Sequence, residues 1–153
     1  MDTSLVRSFT IRGKDFLNAG NVSTEIKSLL TEVGVDPAII RRVAIATYEA
    51  EMNVVMYAEE ATLTLNLTPG TIRIVIDDRG PGIPDIERAM QEGYSTATPA
   101  MREMGFGAGM GLPNIRKNAD EFTMTSTVGT GTRLAIIITM SGNDGRGLPI
   151  HSY

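Results

Sequence analysis

The run ATLTLNLTPGTIRIVID, residues 61–77, restricts the fold more than any other part of the 153-residue chain. Leu63, Leu65 and Leu67 alternate with threonine and asparagine, Pro69-Gly70 interrupts, and Ile72, Ile74 and Ile76 resume the alternation. Period-two patterning gives each strand one apolar face, and a turn pair between two such strands makes an antiparallel hairpin, half buried. A sheet with one apolar face needs a second layer to cover it.

The flanking segments supply both more sheet and that layer. Residues 4–12 read as a first strand, with Leu5, Phe9 and Ile11 on one parity. Residues 15–33 read as an amphipathic helix closed by Gly34. Asp36 caps a second helix, with Pro37 in its first turn, that runs to about Ala58. A short helix is expected after Pro84, another from Pro113 to about Ala119, and two last strands over 121–127 and 132–140 joined by Gly-Thr-Gly. The expected fold class is α+β: a two-layer sandwich over residues 1–140 as one domain, with 141–153 as a flexible tail.

Composition narrows the function classes. The 14 Lys and Arg against 18 Asp and Glu leave a formal charge of −4, with no basic surplus for a dedicated nucleic-acid binder. No apolar run approaches the roughly 20 residues of a membrane span, and the N-terminus lacks a signal-peptide pattern. With no cysteine there are no disulfides or thiolate metal sites, which suits a cytoplasmic location. The single histidine, His151, lies in the expected tail, which disfavours histidine-based catalysis.

Three polar features stand out. On the second helix, Ile45, Glu49, Asn53 and Tyr57 recur at four-residue spacing and share one face. An acid and an amide one turn apart can hold a hard cation and a nucleophile's proton; a buried hydrogen-bonded pair is the structural alternative. Glu51, whose neighbours at four-residue spacing are Thr47 and Val55, reads as a surface residue. In DDRGPGIPD, residues 77–85, the alternation of the preceding strand turns Asp78 coreward just past the strand end, where a carboxylate needs a donor. An adenine amino group would be one, and the backbone of a tight turn another. In MGFGAGMG, residues 104–111, glycine occupies every second position before a helix start. That spacing is not the dinucleotide fingerprint, and no P-loop motif occurs. Glycines before a helix N-terminus let backbone approach a phosphate chain; a surface loop is the alternative.

Taken in order, E49-A-E-M-N53, D78-R-G-P-G82, G107-A-G-M-G111 and G129-T-G-T132 resemble the four nucleotide-binding boxes of the GHKL ATPase/kinase superfamily. The short chain and the run DDRGPGIPDIERAMQEGYST look most like the anti-sigma-factor serine/threonine kinases of bacteria, in particular the stressosome switch-kinase type. The likeness covers roughly residues 36–140. It implies a Bergerat-type ATP site on a mixed, mostly antiparallel sheet covered on one face by helices. By it, Asn53 coordinates Mg²⁺ and Glu49 is the general base toward the attacking hydroxyl. Asp78 accepts the adenine amino hydrogen, with Gly80 and Gly82 shaping that pocket. Gly105, Gly107, Gly109 and Gly111 belong to an ATP lid, and Thr132 helps hold Asp78 or a water near the base. The segment ATPAMREMGF before Gly107 is longer than in the switch kinases. Arg102 within it is a candidate for the γ-phosphate or a plain surface charge, and Arg116 and Lys117, placed in the first turns of the next helix, are similar candidates.

The function so implied is an ATP-dependent protein kinase that phosphorylates a small STAS-type antagonist in a partner-switching pathway. A sigma factor or a phosphatase is the alternate partner, a homodimer is one open assembly, and neither nucleic acid nor membrane is involved. The competing reading is an ATP-responsive binding module without kinase turnover. A detached histidine-kinase catalytic domain would need a phosphoacceptor histidine, and only His151 exists. Gyrase-like ATPases need further domains.

Overall fold

The computed structural model of the protein describes residues 4–91 and 111–140. Its strands are β1 (Leu5–Arg12), β2 (Glu60–Thr68), β3 (Thr71–Arg79), β4 (Glu121–Thr127) and β5 (Gly131–Thr139). They form one sheet in the order β1-β2-β3-β5-β4. Every neighbouring pair is antiparallel, so the sheet has no parallel component among the described residues, where a mixed one was expected. The cause lies in the connections: Pro69-Gly70 joins β2 to β3 and residues 128–130 join β4 to β5, and such short turns can link only antiparallel strands.

The hairpin register places Leu63 opposite Ile76, Leu65 opposite Ile74 and Leu67 opposite Ile72. All six are buried, together with Ile136 and Ile138 of β5, so this face of the sheet carries the core. Among the described residues four helices accompany it: α1 (Asn21–Glu32), α2 (Pro37–Tyr57), α3 (Ile86–Ala89) and α4 (Gly111–Asn118). The helix α2 packs on β1, β2 and β3, and α1 and α4 pack in turn against α2. The result is the α+β sandwich that the alternation of residues 61–77 demands. No helix among the described residues is long and apolar enough to cross a membrane.

Asp36 caps α2 by accepting the Ala38 N–H, with Pro37 at the first helical position, as expected. Gly34 ends the α1 segment with φ +82°, the left-handed conformation that glycine adopts without strain. The start of α1 differs from expectation. Residues 16–18 form a single 3₁₀ turn, and α1 begins only at Asn21. The segment before it is held by the end of α2: the Gly13 N–H donates to Glu59 O at 2.8 Å and the Lys14 N–H to Val55 O at 2.7 Å. The Lys14 ammonium also donates to Met56 O. These long-range bonds outweigh the local helical pattern of residues 15–20.

Glu51 corrects a second expectation. Rather than facing solvent it is 1% exposed, and its carboxylate accepts the N–H groups of Gly20, Val22 and Ser23 at 2.9–3.1 Å. Those are the free donors at the N-terminus of α1, and an anion there is favoured by the helix dipole. Glu51 therefore caps α1 from the neighbouring helix and sets the two side by side.

At the other side, Arg42 of α2 donates from Nε to Asn118 O at 3.1 Å and from Nη2 to Asp120 at 3.0 Å. Asp120 also accepts the Thr139 N–H at 2.7 Å. That backbone donor, reinforced by Arg42, holds the Asp120 carboxyl below its ordinary value despite a small desolvation cost. The cluster fixes the end of α4 to both α2 and β5.

Candidate functional site

The stripe Ile45, Glu49, Asn53 and Tyr57 lies half-buried on α2, where α4 crosses it. Asn114 of α4 donates from Nδ2 to Glu49 Oε2 at 3.0 Å. Oε1 of Glu49 has no hydrogen-bond partner among the described residues, so one oxygen is held and the other is available. One turn along, Gly111 opens α4 directly against Asn53. A Cβ at Gly111 would lie in ordinary contact with Asn53 Nδ2 at 3.5 Å and in tight contact with Oδ1 at 3.2 Å, so the Asn53 amide would have to shift slightly. The Asn53 amide makes no hydrogen bond to any described residue. A carboxylate, an unengaged amide and a helix N-terminus thus converge on one face of α2.

The second cluster lies on the sheet beyond the end of α2. Asp78 sits within β3, where a position just past the strand end was expected. Its Oδ1 accepts the Thr132 N–H at 3.0 Å, and its Oδ2 has no partner among the described residues. Burial pushes the Asp78 carboxyl above its ordinary value, with Asp77 adding to the shift and the Thr132 N–H opposing it. The backbone around it leaves no space for side chains: a Cβ on Gly131 would fall 2.0 Å from Asp78 O. Gly80 abuts Ala58, the residue that follows α2, with a notional Cβ 3.1 Å from its Cα. The two clusters therefore share α2, and Asn53 and Ala58 are about 7.5 Å apart along its axis.

Gly82 has φ +75° and packs on Thr127 O, so it makes the turn that folds residues 80–83 onto the β4–β5 connection. The Gly80 N–H donates to Thr130 O at 3.1 Å and the Gly129 N–H to Pro81 O at 2.8 Å. Ser126 completes the seam: its hydroxyl accepts the Ile83 N–H at 2.7 Å and hydrogen-bonds Thr132 Oγ1 at 2.9 Å.

The structure brings Glu49, Asn53 and Gly111 together at α4, and Asp78, Gly80, Gly82 and Thr132 together at the β3 end. Arg102, Gly105, Gly107 and Gly109, the expected lid, lie outside the described residues, as do the expected tail and His151. Arg116 and Lys117 fall in the last turn of α4 and are exposed, not in its first turns, because the helix begins at Gly111 rather than at Pro113. They stand at the negative end of the helix, opposite the terminus that faces Asn53.

Sequence reasoning missed Asn114, Ser126 and the role of Glu51. An amide in the first turn after a glycine run was a usable signal for Asn114; Ser126, in an alternating strand, carried none.

The donor set fits a nucleotide. Asp78 Oδ2 is an open, half-buried acceptor for an amino group. The N-terminus of α4 offers N–H groups to phosphate. No cluster of three or more His, Cys, Asp or Glu able to hold a metal occurs among the described residues, so a cation here would have few protein ligands. Mg²⁺ commonly binds in that way, through one or two oxygens plus substrate phosphates and water.

Comparison with known proteins agrees. Residues 17–138 match the family model of the histidine kinase-like ATPase domain. The chain is 30% identical over 115 residues to the serine/threonine-protein kinase RsbT of Bacillus subtilis, covering 72% of this chain and 80% of that protein. It is 34% identical over 104 residues to the anti-sigma F factor of Caldanaerobacter subterraneus, covering 63% of this chain and 69% of that protein. The anti-sigma F factor of Thermoanaerobacter pseudethanolicus matches to the same extent. The chain belongs to the histidine kinase-like ATPase family, and within it to the anti-sigma-factor serine/threonine kinase type.

Proposed function

We propose that the protein transfers the γ-phosphoryl group of ATP to a serine or threonine hydroxyl of a small STAS-type antagonist. Kinase and antagonist would form part of a partner-switching pathway in the cytoplasm. The observation that carries this reading is the Glu49–Asn114 bond beside Asn53 and the Gly111 helix start. That proximity supports Glu49 as a proton acceptor beside a helix N-terminus suited to phosphate.

In this reading Asp78 Oδ2 accepts the adenine amino hydrogen while Thr132 keeps Oδ1 occupied and the carboxylate oriented. Gly80 and Gly82 keep the backbone low enough for the ring to enter. The α4 N-terminus, opened by Gly111, receives phosphate oxygens, and Gly105, Gly107 and Gly109 extend that cradle, with Arg102 as a further phosphate contact. Asn53 would be the protein ligand of Mg²⁺, which would supply positive charge against that developing on the transferred phosphoryl group. Glu49 takes the proton of the attacking hydroxyl through its free oxygen while Asn114 holds the other. Most of the acceleration then comes from position and electrostatics, as phosphoryl transfer requires.

We further propose a second partner exchanged for the antagonist, either a sigma factor, as the name of the anti-sigma relatives suggests, or a phosphatase, and a homodimer as one assembly. Incubation with γ-labelled ATP and purified STAS-domain antagonists tests the reading. Label on a Ser or Thr supports it; ATP binding without transfer would leave a nucleotide-responsive binding module instead.

A further inference from the structure

Across the end of the sheet, Asp78 of β3, Thr132 of β5 and Ser126 of β4 form one transverse row. Arg133 lies opposite Asp77, so Asp78 falls beside Thr132, and Thr132 lies opposite Ser126. Two residues inward on the same face, the row is Ile76, Leu134 and Met124, which belongs to the apolar core. Thr132 is buried, and Asp78 and Ser126 are half-buried. The margin of the core is therefore a line of three polar side chains, and the nucleotide reading gives Ser126 no part in it.

The hydrogen bonds of Ser126 fix where the protons of this row lie. A hydroxyl has one proton to donate and two lone pairs to accept with. Ser126 Oγ stands 2.7 Å from the Ile83 nitrogen, 2.9 Å from Thr132 Oγ1 and 3.2 Å from Gly131 O. The Ile83 N–H can only donate and the Gly131 carbonyl can only accept. Ser126 thus accepts from the first with one lone pair and gives its proton to the second. Its other lone pair is left for Thr132, whose hydroxyl is then the donor of the 2.9 Å bond. Thr132 has no second proton, so toward the pocket beside Asp78 it offers lone pairs alone. Asp78 Oδ2, when ionised, is also purely an acceptor, because the Thr132 N–H engages Oδ1.

We propose that Ser126 is a positioning residue that sets the choice of nucleobase: by taking the Thr132 proton and holding the 80–83 turn through Ile83, it leaves the row with acceptors only. The proposal rests on the nucleotide reading of Asp78 above and adds a residue through which the base is discriminated. A 6-amino purine brings N–H groups to such a row. A 6-oxo purine sets its oxygen against lone pairs, and a polar group left unpaired in a site built for hydrogen bonding is what makes that site selective. Without Ser126, the Thr132 proton is free to turn toward the pocket and to donate to a 6-oxo group. Loss of Ser126 should therefore change the ratio of two nucleotide affinities, and a seam that only holds the backbone together would not.

The test measures Kd for ATP and for inosine triphosphate, each with Mg²⁺, by calorimetry on variants whose folding is verified by thermal melts. The parent should prefer ATP at least tenfold. Ser126→Ala should cut that preference at least fivefold, and Ser126→Thr, which keeps the hydroxyl, should stay within twofold of the parent. Ser126→Cys, close in shape but a weaker acceptor, should shift the preference in the same direction by at least twofold, and it decides the matter if Ser126→Ala does not fold. In a Thr132→Val background, which has no hydroxyl to turn, adding Ser126→Ala should move the preference less than twofold. Equal losses for both nucleotides, an equal shift in the Thr132→Val background, or a parent without preference would overturn the proposal and leave the nucleotide site standing. A parent that binds neither nucleotide would overturn the nucleotide reading and the proposal with it.

Discussion

Asn114 and Glu49, 65 positions apart in sequence, meet in a 3.0 Å hydrogen bond between α4 and α2. The bond makes the orientation of the Glu49 carboxylate depend on the same first turn of α4 whose opening residue, Gly111, abuts Asn53. In the proposed mechanism Asn114 is thus a positioning residue. Asn114→Ala is expected to lower kcat at least tenfold while KM for ATP stays within about twofold, since misorientation costs rate more than binding. Asn114→Asp should be worse, because it puts a second carboxylate within reach of Glu49. Steady-state kinetics on both variants, at matched Tm, check this.

Gly111 separates function from stability. Replacing glycine by alanine in a helix usually stabilises it, by up to about 1 kcal/mol. Here the added methyl would press on Asn53 Oδ1 at 3.2 Å. Gly111→Ala should therefore keep or raise Tm yet weaken Mg-ATP binding about tenfold. Calorimetry for affinity and thermal melts for stability read the two signs separately.

Glu51 is a stability residue near the site. Its removal leaves three N–H groups at the α1 terminus without their acceptor, and breaking a buried charged contact of this kind costs about 3 kcal/mol. Glu51→Ala should lower Tm by roughly 6–12 °C for a chain of this size. Glu51→Gln should recover only part of that, since its amide NH₂ faces donors. Urea unfolding of the three proteins gives the comparison.

In the proposed nucleotide site Asp78 ties affinity to pH. Burial raises its folded pKa above the ordinary carboxylate value, so between the unfolded and folded values the folded state binds the extra proton. The Asp78 contribution to stability is therefore fully present below the unfolded value and is lost as pH rises through the folded one. ATP affinity moves the other way: protonation of Asp78 removes an acceptor, so binding should weaken as pH falls through the raised value. Asp78→Asn should bind ATP at least tenfold more weakly and lose this pH dependence. Titrations of nucleotide affinity from neutral to mildly acidic pH check both.

The hairpin, the caps at Asp36 and Gly34 and the polar stripe on α2 were legible because each follows from local spacing: period two, a side chain bonded two residues on, period four. Glu49, Asn53 and Asp78 stood out as polar residues in apolar patterns. The rest depended on contacts that local patterns do not encode. Glu51 looks like a surface residue beside Thr47 and Val55, and its partners are backbone N–H groups about thirty positions upstream with no side-chain signature. The late start of α1 follows from Gly13 and Lys14 binding the end of α2, which a helical pattern over 15–33 cannot show. Asn114 was hidden by a helix start assigned to Pro113; with the start at Gly111, the same sequence turns Asn114 toward Glu49 and leaves Arg116 and Lys117 at the far end.

The most direct test compares the parent and Glu49→Ala for transfer of label from γ-labelled ATP to a purified STAS antagonist, with ATP affinity measured alongside. The expected result is phosphoserine or phosphothreonine with the parent, and with Glu49→Ala a loss of transfer of at least a hundredfold at unchanged ATP affinity. Transfer by Glu49→Ala at the parent rate, or ATP binding by the parent with no transfer to any antagonist, would contradict the assignment.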